Sequence, residues 1–171
     1  FIDGIADSVN TPYIPTGFTK LDAELDGGLY EGLYIVGAIS SIGKTTFIMQ
    51  IADQIAQAGT DVLIFSLEMA RTEIMAKSIS RHTLQSVLAT GGDIRNAKTA
   101  RGITTGKRYI NYSQTERDLI NSSIMEYSKY AQNIYISEGI GDIGVEQIRE
   151  TVKQHILYTG KTPVVVIDYL Q

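Results

Sequence analysis

The sequence has 171 residues, of which 43% are hydrophobic and 20% are charged, a balance that suits one globular domain with a hydrophobic core. Its formal net charge of −4 argues against a protein that binds nucleic acid through an overall basic surface, so any DNA contact would need a local basic patch. It contains no cysteine, which excludes a disulfide framework and favours a cytoplasmic location, and no apolar run approaches the length of a membrane span.

The N-terminal part of the sequence divides into an arm and the start of a domain. Residues 1–15 have a mixed composition with two of the three prolines, and we interpret them as an arm or linker. The domain is predicted to span residues 16–171. Its first segment, TGFTKLDAELDGG at residues 16–28, predicts a short helix that ends at the two glycines, with Thr19 as its capping residue.

A phosphate-binding motif follows this segment. The apolar run at residues 33–36 precedes GAISSIGKTT at residues 37–46, and an apolar helix start comes next, which predicts a strand, a turn and a helix. From Ala38 to Thr45 the letters fit the P-loop pattern, in which backbone N–H groups of the turn and of the helix N-terminus surround phosphate oxygens. The residues predicted to bind a nucleotide in this way are Ala38, Ser40, Ser41, Ile42, Gly43, Lys44, Thr45 and Thr46.

The side chains of this motif have separate expected roles. Lys44 places a cation on the outer phosphates, Gly43 lets the backbone come close, and the hydroxyl group of Thr45 can bind Mg²⁺. Ala38 stands where the strict pattern has glycine, so a methyl group replaces hydrogen near the phosphates. The motif therefore predicts a nucleotide phosphate site, and an ordinary glycine turn is the alternative.

The residues after the P-loop predict a helix and then a buried strand that ends beside the same site. The helix is predicted to run to about residue 58, and VLIF at residues 62–65 is apolar on both faces, as is typical of a parallel sheet covered by helices on both sides. The apolar stripe of the helix consists of Phe47, Ile48, Ile51, Ile55 and Ala58. Glu68 follows the strand at the end where ligands bind in open α/β sheets. Its carboxylate can orient or deprotonate an attacking water molecule, or it can be a surface glutamate that the dipole of a following helix favours.

Strands and helices continue to alternate along the rest of the sequence. Ser113 and Glu116 form a capping box, which predicts the start of a helix. The other predicted elements are helices over about residues 72–88 and 145–156 and strands at residues 134–136 and 163–167. Alternating helices and buried strands predict an α/β layered fold with right-handed parallel crossovers.

Two other groups of polar residues have weaker functional interpretations. The basic stretch at residues 95–108 contains five cations and is predicted to be a solvated loop, with contact to DNA phosphates as the alternative. His82 and His155 lie far apart without metal-ligand spacing, and we interpret both as structural.

The last predicted strand ends in a carboxylate. Residues 164–167, VVVI, lead directly into Asp168. In P-loop NTPases a buried strand that ends in Asp is the Walker B arrangement, in which the carboxylate helps to hold Mg²⁺ opposite the P-loop hydroxyl group. The P-loop upstream favours Thr45 and Asp168 as the metal ligands, and a carboxylate that caps a loop is the alternative.

Four stretches of the sequence resemble, in order, the motor domain of DnaB-type replicative helicases: TGFTKLDAELDGGLYEGLYIVGA, ISSIGKTTF, VLIFSLEM and VVVIDYLQ. The resemblance runs from Thr16 to Gln171, and the SLEM tetrad and the GG pair make it more specific than a P-loop alone. It implies a RecA-like P-loop NTPase fold, with a mainly parallel sheet and helices on both faces. Because the sequence ends just after its Walker B strand, we expect a partial, C-terminally incomplete domain.

The same resemblance implies an activity and partners. It implies an ATP-dependent motor that uses Mg²⁺, forms a homo-hexamer and acts on single-stranded DNA, with primase or a loader as replication partners. Glu68 is then expected to be the hydrolytic carboxylate and Lys44 the cation that neutralises phosphate charge. The isolated chain is expected to be nearly inactive, because the sensor and arginine finger of the family lie further along. The alternative is a RecA-like nucleotide-binding module of regulatory, recombinase or loader type without unwinding activity.

Overall fold

The structure, a computed structural model, describes residues 10–39, 41–139 and 143–168. The helices are α1 (Thr19–Glu24), α2 (Lys44–Gln57), α3 (Arg71–Ala89), α4 (Ala100–Thr104), α5 (Gly106–Tyr109), α6 (Gln114–Ser128) and α7 (Val145–Thr159), and the strands are β1 (Val62–Ser66), β2 (Ile134–Glu138) and β3 (Val164–Asp168). Two 3₁₀ turns, Ile94–Asn96 and Ala131–Asn133, complete the regular structure of these ranges. Within them, every helix is too short or too polar to traverse a lipid bilayer.

The strands form one parallel sheet in the order β2-β1-β3. Val62, the first residue of β1, lies opposite Ile134 on one side and Val164 on the other, and the pairing stays in register to the ends of the strands. All three strands therefore begin at one end of the sheet, its N-terminal end, and finish at the opposite, C-terminal end.

Helices cover both faces of this sheet. On one face α2 contributes Met49 and Ile55 to a core cluster that includes Ile64 of β1. On the other face the ring of His155 in α7 meets the ring of Tyr135 in β2 edge-on, with centroids 4.6 Å apart. Because β1 lies between the two layers it is buried at all five positions, and the predicted α/β fold with a parallel sheet and helices on both faces is confirmed.

The strand predicted at residues 33–36 is wrong. These residues adopt no regular structure, and the side chains of Leu33 and Ile35 are 86% and 85% exposed. A strand exists only where a neighbouring strand takes up its backbone N–H and C=O groups. Among the described residues no strand lies beside this run, and the outer side of β3 is also unpaired.

The apolar stripe predicted for α2 is confirmed at Ile48, Ile51 and Ile55, which lie in or against the core, but not at its two ends. The buried positions are Met49, Ala52, Asp53, Ile55 and Ala56. Phe47 is instead partly exposed and stacks against Phe18, with ring centroids 5.2 Å apart. Ala58 is exposed as well, so the two ends of the stripe extend beyond the part of the helix that packs, which periodicity alone does not reveal.

Thr16 and Gly17 of the N-terminal segment are hydrogen-bonded to the side chain of Asp22 at the start of α1. Asp22 accepts hydrogen bonds from the backbone N–H and the hydroxyl group of Thr16, at 2.7 and 2.6 Å, and from the N–H of Gly17 at 3.2 Å. Burial acts to raise the pKa of Asp22, but these hydrogen bonds outweigh it and hold that pKa below its usual range. Thr19 is the first helical residue of α1 and Phe18 occupies the capping position without a side-chain bond, so the predicted Thr19 cap is wrong.

Glycine at position 28 is required by a close approach of two backbone segments. Ile14 and Leu29 form an antiparallel bridge, with N–H···O distances of 2.8 Å in both directions. A Cβ atom at Gly28 would lie 2.4 Å from the carbonyl oxygen of Ile14. Glycine at position 28 therefore allows the backbone before the P-loop to pack directly against Ile14.

The basic stretch at residues 95–108 is folded and is not the loop that was predicted. It consists of a 3₁₀ turn followed by α4 and α5. Lys98 anchors it, because its ammonium group lies 2.5 Å from a carboxylate oxygen of Glu116 and its carbonyl oxygen accepts a 2.6 Å hydrogen bond from Ser80. The capping box of Ser113 and Glu116 is confirmed, so Glu116 both starts α6 and holds Lys98.

Candidate functional site

The orientation of α2 directs the P-loop toward the C-terminal end of the sheet. Asn133, which directly precedes β2, donates a 2.9 Å hydrogen bond from its amide to the carbonyl oxygen of Ala56 near the end of α2. The end of the helix thus lies at the N-terminal end of the sheet, and the helix runs antiparallel to the strands it covers. Its 14 residues rise about 21 Å, more than the roughly 17 Å of a five-residue strand. The first turn, which begins at Lys44, therefore points toward the end at which the strands finish.

The turn before α2 has the backbone conformation expected of a phosphate loop. Gly43 precedes the helix with a φ of 102°, and Ser41 has a φ of 66°. A Cβ atom at Gly43 would meet nothing within 4 Å, so glycine is required there by its backbone conformation and not by crowding. Ser40 lies outside the described residues.

The other predicted phosphate-binding residues are accessible to a ligand. Ala38, Ile42 and Thr46 are exposed, whereas Lys44 and Thr45 are half-buried in the first turn of α2. N–H groups in the first turn of a helix have no partner within the helix and point along its axis, where an anion can accept them. This arrangement is suited to binding a phosphate chain.

Asp168 is a buried carboxylate without a hydrogen-bond partner. It is the last residue of β3 and is 1% exposed, and neither of its carboxylate oxygens has a hydrogen-bond partner among the described residues. An ionised group in such a position is costly unless a cation or a donor compensates it. The loop-capping role considered for Asp168 needs a donor to this carboxylate, and none is found in the described ranges.

Glu68 lies next to Asp168 at the same end of the sheet. Ser66 and Asp168 are partners at the ends of β1 and β3, and the N–H of Leu67 donates a 2.8 Å hydrogen bond to the carbonyl oxygen of Asp168. Glu68 is the next residue, and its exposed side chain lines a pocket of about 260 Å³ that Glu138 of β2 also lines. The two carboxylates predicted from sequence are thus brought to neighbouring strand ends.

The first turn of α3 has its own acidic residue, Glu73. Helix α3 begins at Arg71, and the residue that precedes it is Ala70. The N–H of Ala70 donates to the carboxylate of Glu73 at 3.3 Å, so Glu73 is the acidic residue of the first turn. Glu68 lies three residues before the helix with an exposed side chain, so both of the roles considered for it, hydrolytic carboxylate and surface glutamate near a helix start, stay predictions.

The residues present fit a magnesium ion bound together with a nucleotide. Among the described residues no group of three or more His, Cys, Asp or Glu side chains forms a metal site. Mg²⁺ in nucleotide sites is held by one or two protein ligands together with phosphate oxygens and water, so a larger cluster is not expected. The orphaned carboxylate of Asp168 and the hydroxyl group of Thr45 are the candidates to hold it.

A buried ion pair that sequence reasoning missed joins α2 to α3. Arg81 lies 2.6 Å from a carboxylate oxygen of Asp53, and the side chain of Asp53 is 3% exposed. Burial raises the pKa of Asp53, and the positive charge of Arg81 opposes this shift. The signal in the sequence was an aspartate in the middle of the apolar helix that follows the P-loop.

Both histidines, which the sequence led us to interpret as structural, form buried side-chain contacts within the fold. His82 Nε2 lies 2.7 Å from the hydroxyl group of Tyr130, and burial lowers the pKa of His82. His155 Nε2 lies 3.0 Å from the carboxylate of Asp61, which also pairs with Lys161 at 3.1 Å. Both clusters lie away from the C-terminal end of the sheet.

Comparison with known proteins agrees with this description. The profile of the DnaB-like helicase C-terminal domain family matches residues 13–171. The chain is 31% identical over 159 residues to the replicative DNA helicase DnaB of Haemophilus influenzae and 33% identical over 159 residues to the replicative DNA helicase DnaC of Bacillus subtilis. Each alignment covers 92% of this chain but 30% of the relative, so the chain spans about a third of the length of these curated relatives.

Two solved structures share the fold. One, an ATPase domain, superposes with a TM-score of 0.73 at 24% identity, over 99% of this chain and 54% of that one. The other, a DnaB-like replicative helicase studied with its interactions with primase, superposes with a TM-score of 0.73 at 26% identity, over 94% of this chain and 34% of that one. The α/β architecture described above is therefore that of DnaB-like, RecA-fold ATPase domains.

Proposed function

This chain belongs to the DnaB-like helicase C-terminal domain family, and we propose that it is an ATP-binding and ATP-hydrolysing motor domain of a replicative DNA helicase. The observation that carries the proposal is the pair of carboxylates at neighbouring strand ends, Asp168 buried without a partner and Glu68 exposed just beyond β1. The P-loop helix, which runs antiparallel to those strands, supplies the phosphate-binding turn to the same end of the sheet.

In this proposal the protein binds the phosphate chain through the turn and first helical residues at positions 41–46. Lys44 neutralises phosphate charge, and Thr45 and Asp168 hold Mg²⁺, which when bound stabilises the charge that develops on the phosphates. Glu68 orients the attacking water molecule and accepts its proton. Position supports each role: a cation and a hydroxyl group stand at a helix start, a buried carboxylate without a partner ends β3, and an exposed carboxylate follows β1.

The assembly and the DNA substrate belong to the whole protein and are part of the proposal. We propose that the parent protein forms a homo-hexamer on single-stranded DNA in the cytoplasm, with primase or a loader as partners. Support comes from the family match and from the DnaB-like helicase of similar structure that was studied with primase. Hydrolysis of ATP by the domain would then drive movement of that protein along DNA.

Nucleotide binding tests the proposal directly. A fluorescent ATP analogue is titrated into the 171-residue chain with Mg²⁺, and the same titration is made with Lys44→Ala. A lost charge-assisted contact is worth about 1.5–3 kcal/mol, so we expect binding to weaken about 10- to 100-fold. Lys153→Ala is the control, because it removes the same charge from an exposed position on α7. Equal affinity in the wild type and Lys44→Ala would overturn the proposal.

Hydrolysis is tested separately in the parent protein. Glu68→Gln keeps the size of the side chain but removes its capacity to accept a proton, so we expect ATP to bind with unchanged affinity while turnover falls. Undiminished turnover by Glu68→Gln would exclude Glu68 as the hydrolytic carboxylate, and it would leave the binding result for Lys44 intact.

A further inference from the structure

A second lysine lies beside the P-loop helix. The ammonium group of Lys77, on α3, lies 3.3 Å from the hydroxyl oxygen of Thr46, on the first turn of α2. Thr46 is exposed and directly follows Lys44 and Thr45 in the sequence. Lys77 therefore places a positive charge next to the turn at which a phosphate chain is proposed to bind.

Lys77 forms no ion pair among the described residues, because Glu73, one turn earlier on the same helix, accepts a hydrogen bond from the N–H of Ala70 instead. Within residues 10–39, 41–139 and 143–168, Lys77 forms no ion pair, and its side-chain contact is to the neutral hydroxyl group of Thr46. By contrast Lys98, Lys129 and Lys161 each lie within 3.1 Å of a carboxylate oxygen. A half-buried cation without a counter-ion is available to an anionic ligand.

The packing of α3 on α2 holds this lysine in place. Arg81 lies one helical turn beyond Lys77, and its ion pair with the buried Asp53 fastens the two helices together. Asp53 lies two turns beyond Thr46, so both contacts follow the same side-by-side packing, with both helices running in the same direction. The ion pair of Arg81 with Asp53 thus fixes the helix that carries Lys77 beside the helix that carries Thr46.

We propose that Lys77 is a second phosphate-binding cation of the nucleotide site and contacts the phosphate chain next to Thr46. The inference deepens the proposed function and rests on it. Because the charge recognises phosphate and not the base, Lys77 contributes equally to the binding of ATP and of inorganic tripolyphosphate. Lys44 belongs to α2, the P-loop helix, whereas Lys77 belongs to α3, the helix that follows Glu68.

Binding measurements on three variants of the full chain test this inference. Lys77→Met removes the charge and keeps most of the side-chain length, Lys77→Arg keeps the charge, and Lys153→Met is the control on α7. With Mg²⁺ present, Lys77→Met is expected to bind ATP and tripolyphosphate about tenfold more weakly than wild type, the loss of one charge-assisted contact at a half-buried position. Lys77→Arg and Lys153→Met are expected to remain within about threefold of wild type.

Lysine footprinting of the unmodified protein gives a result that does not depend on the variants. Acylation of each lysine is measured by mass spectrometry with and without Mg²⁺ and ATP, and Lys44 and Lys77 are both expected to become protected while Lys153 is not. Protection of Lys44 without Lys77, or unchanged affinity in Lys77→Met, would overturn the inference but leave the proposed function standing. If wild type binds neither ligand and Lys44 stays unprotected, the proposed function fails and the role of Lys77 fails with it.

Discussion

Replacing Asp168 by asparagine is expected to stabilise the ligand-free protein while removing its Mg²⁺-dependent response to ATP. In the structure this carboxylate is 1% exposed and neither oxygen has a hydrogen-bond partner among the described residues. A buried group left without partners costs about 1–3 kcal/mol, and more when it is charged. Asparagine has nearly the same shape without the charge, so we expect relief of about 1–2 kcal/mol.

The size of this effect is measurable by thermal unfolding. For a chain of about this length 1 kcal/mol corresponds to roughly 2–4 °C, so in EDTA the midpoint of Asp168→Asn should rise by about 2–8 °C. With Mg²⁺ and ATP at about 100 times the dissociation constant, the wild type should gain about 2.7 kcal/mol of stability, and Asp168→Asn should gain much less. Asp118→Asn makes the same chemical change at an exposed carboxylate on α6. It should change neither the melting temperature in EDTA nor the gain in stability from Mg²⁺ and ATP.

A lower melting temperature of Asp168→Asn than of wild type in EDTA would refute the expected stabilisation. That result would mean that the wild-type carboxylate already has a stabilising partner in the ligand-free protein, and the metal role would lose its physical basis. An equal gain from Mg²⁺ and ATP in both proteins would reject Asp168 as a metal ligand even if the stability change had the expected sign.

Two further predictions concern ion pairs away from the strand ends. Arg81→Met leaves Asp53 buried without its cation and should lower the free energy of unfolding, measured in urea, by about 3–5 kcal/mol. Adding Asp53→Asn to this variant should recover part of the loss. Equal stability of Arg81→Met and wild type would contradict the pairing. Hydrogen bonding to Lys98 lowers the pKa of Glu116 from 4.5 to about 2, so its contribution to stability should be complete above pH 4.5 and disappear as the pH falls toward 2. Glu116→Gln should remove this part of the acid-induced loss in a pH series, and an unchanged series would disprove the assignment.

The elements that local sequence determines were predicted well. The strands at β1, β2 and β3 and the helices α2, α3, α6 and α7 have apolar periodicity, clear ends, or both. The arrival of Glu68 and Asp168 at one end of the sheet followed from strand order alone, because parallel strands finish at the same end.

Features that depend on a distant partner were not predicted. Residues 33–36 look like a strand in composition, but pairing decides whether they become one. The hydrogen bonds of Thr16 to Asp22 replaced the expected Thr19 cap, because the carboxylate of Asp22 satisfies the backbone around Thr16. Nor does spacing reveal that Arg81 reaches Asp53, since the two residues lie on different helices.

Three helices begin at the C-terminal end of the sheet. Besides α2, helix α3 starts where the N–H of Arg71 contacts Glu138 at the end of β2, and α7 runs from there back to Asp61 at the opposite end of the sheet. Each helix start carries a partial charge of roughly +0.5, so the three together partly offset the negative charges of Asp168, Glu68 and Glu138 at the same end of the sheet. A phosphate chain at the first turn of α2 therefore needs Lys44 and a bound cation to screen it from these carboxylates, because the backbone dipoles alone do not balance them.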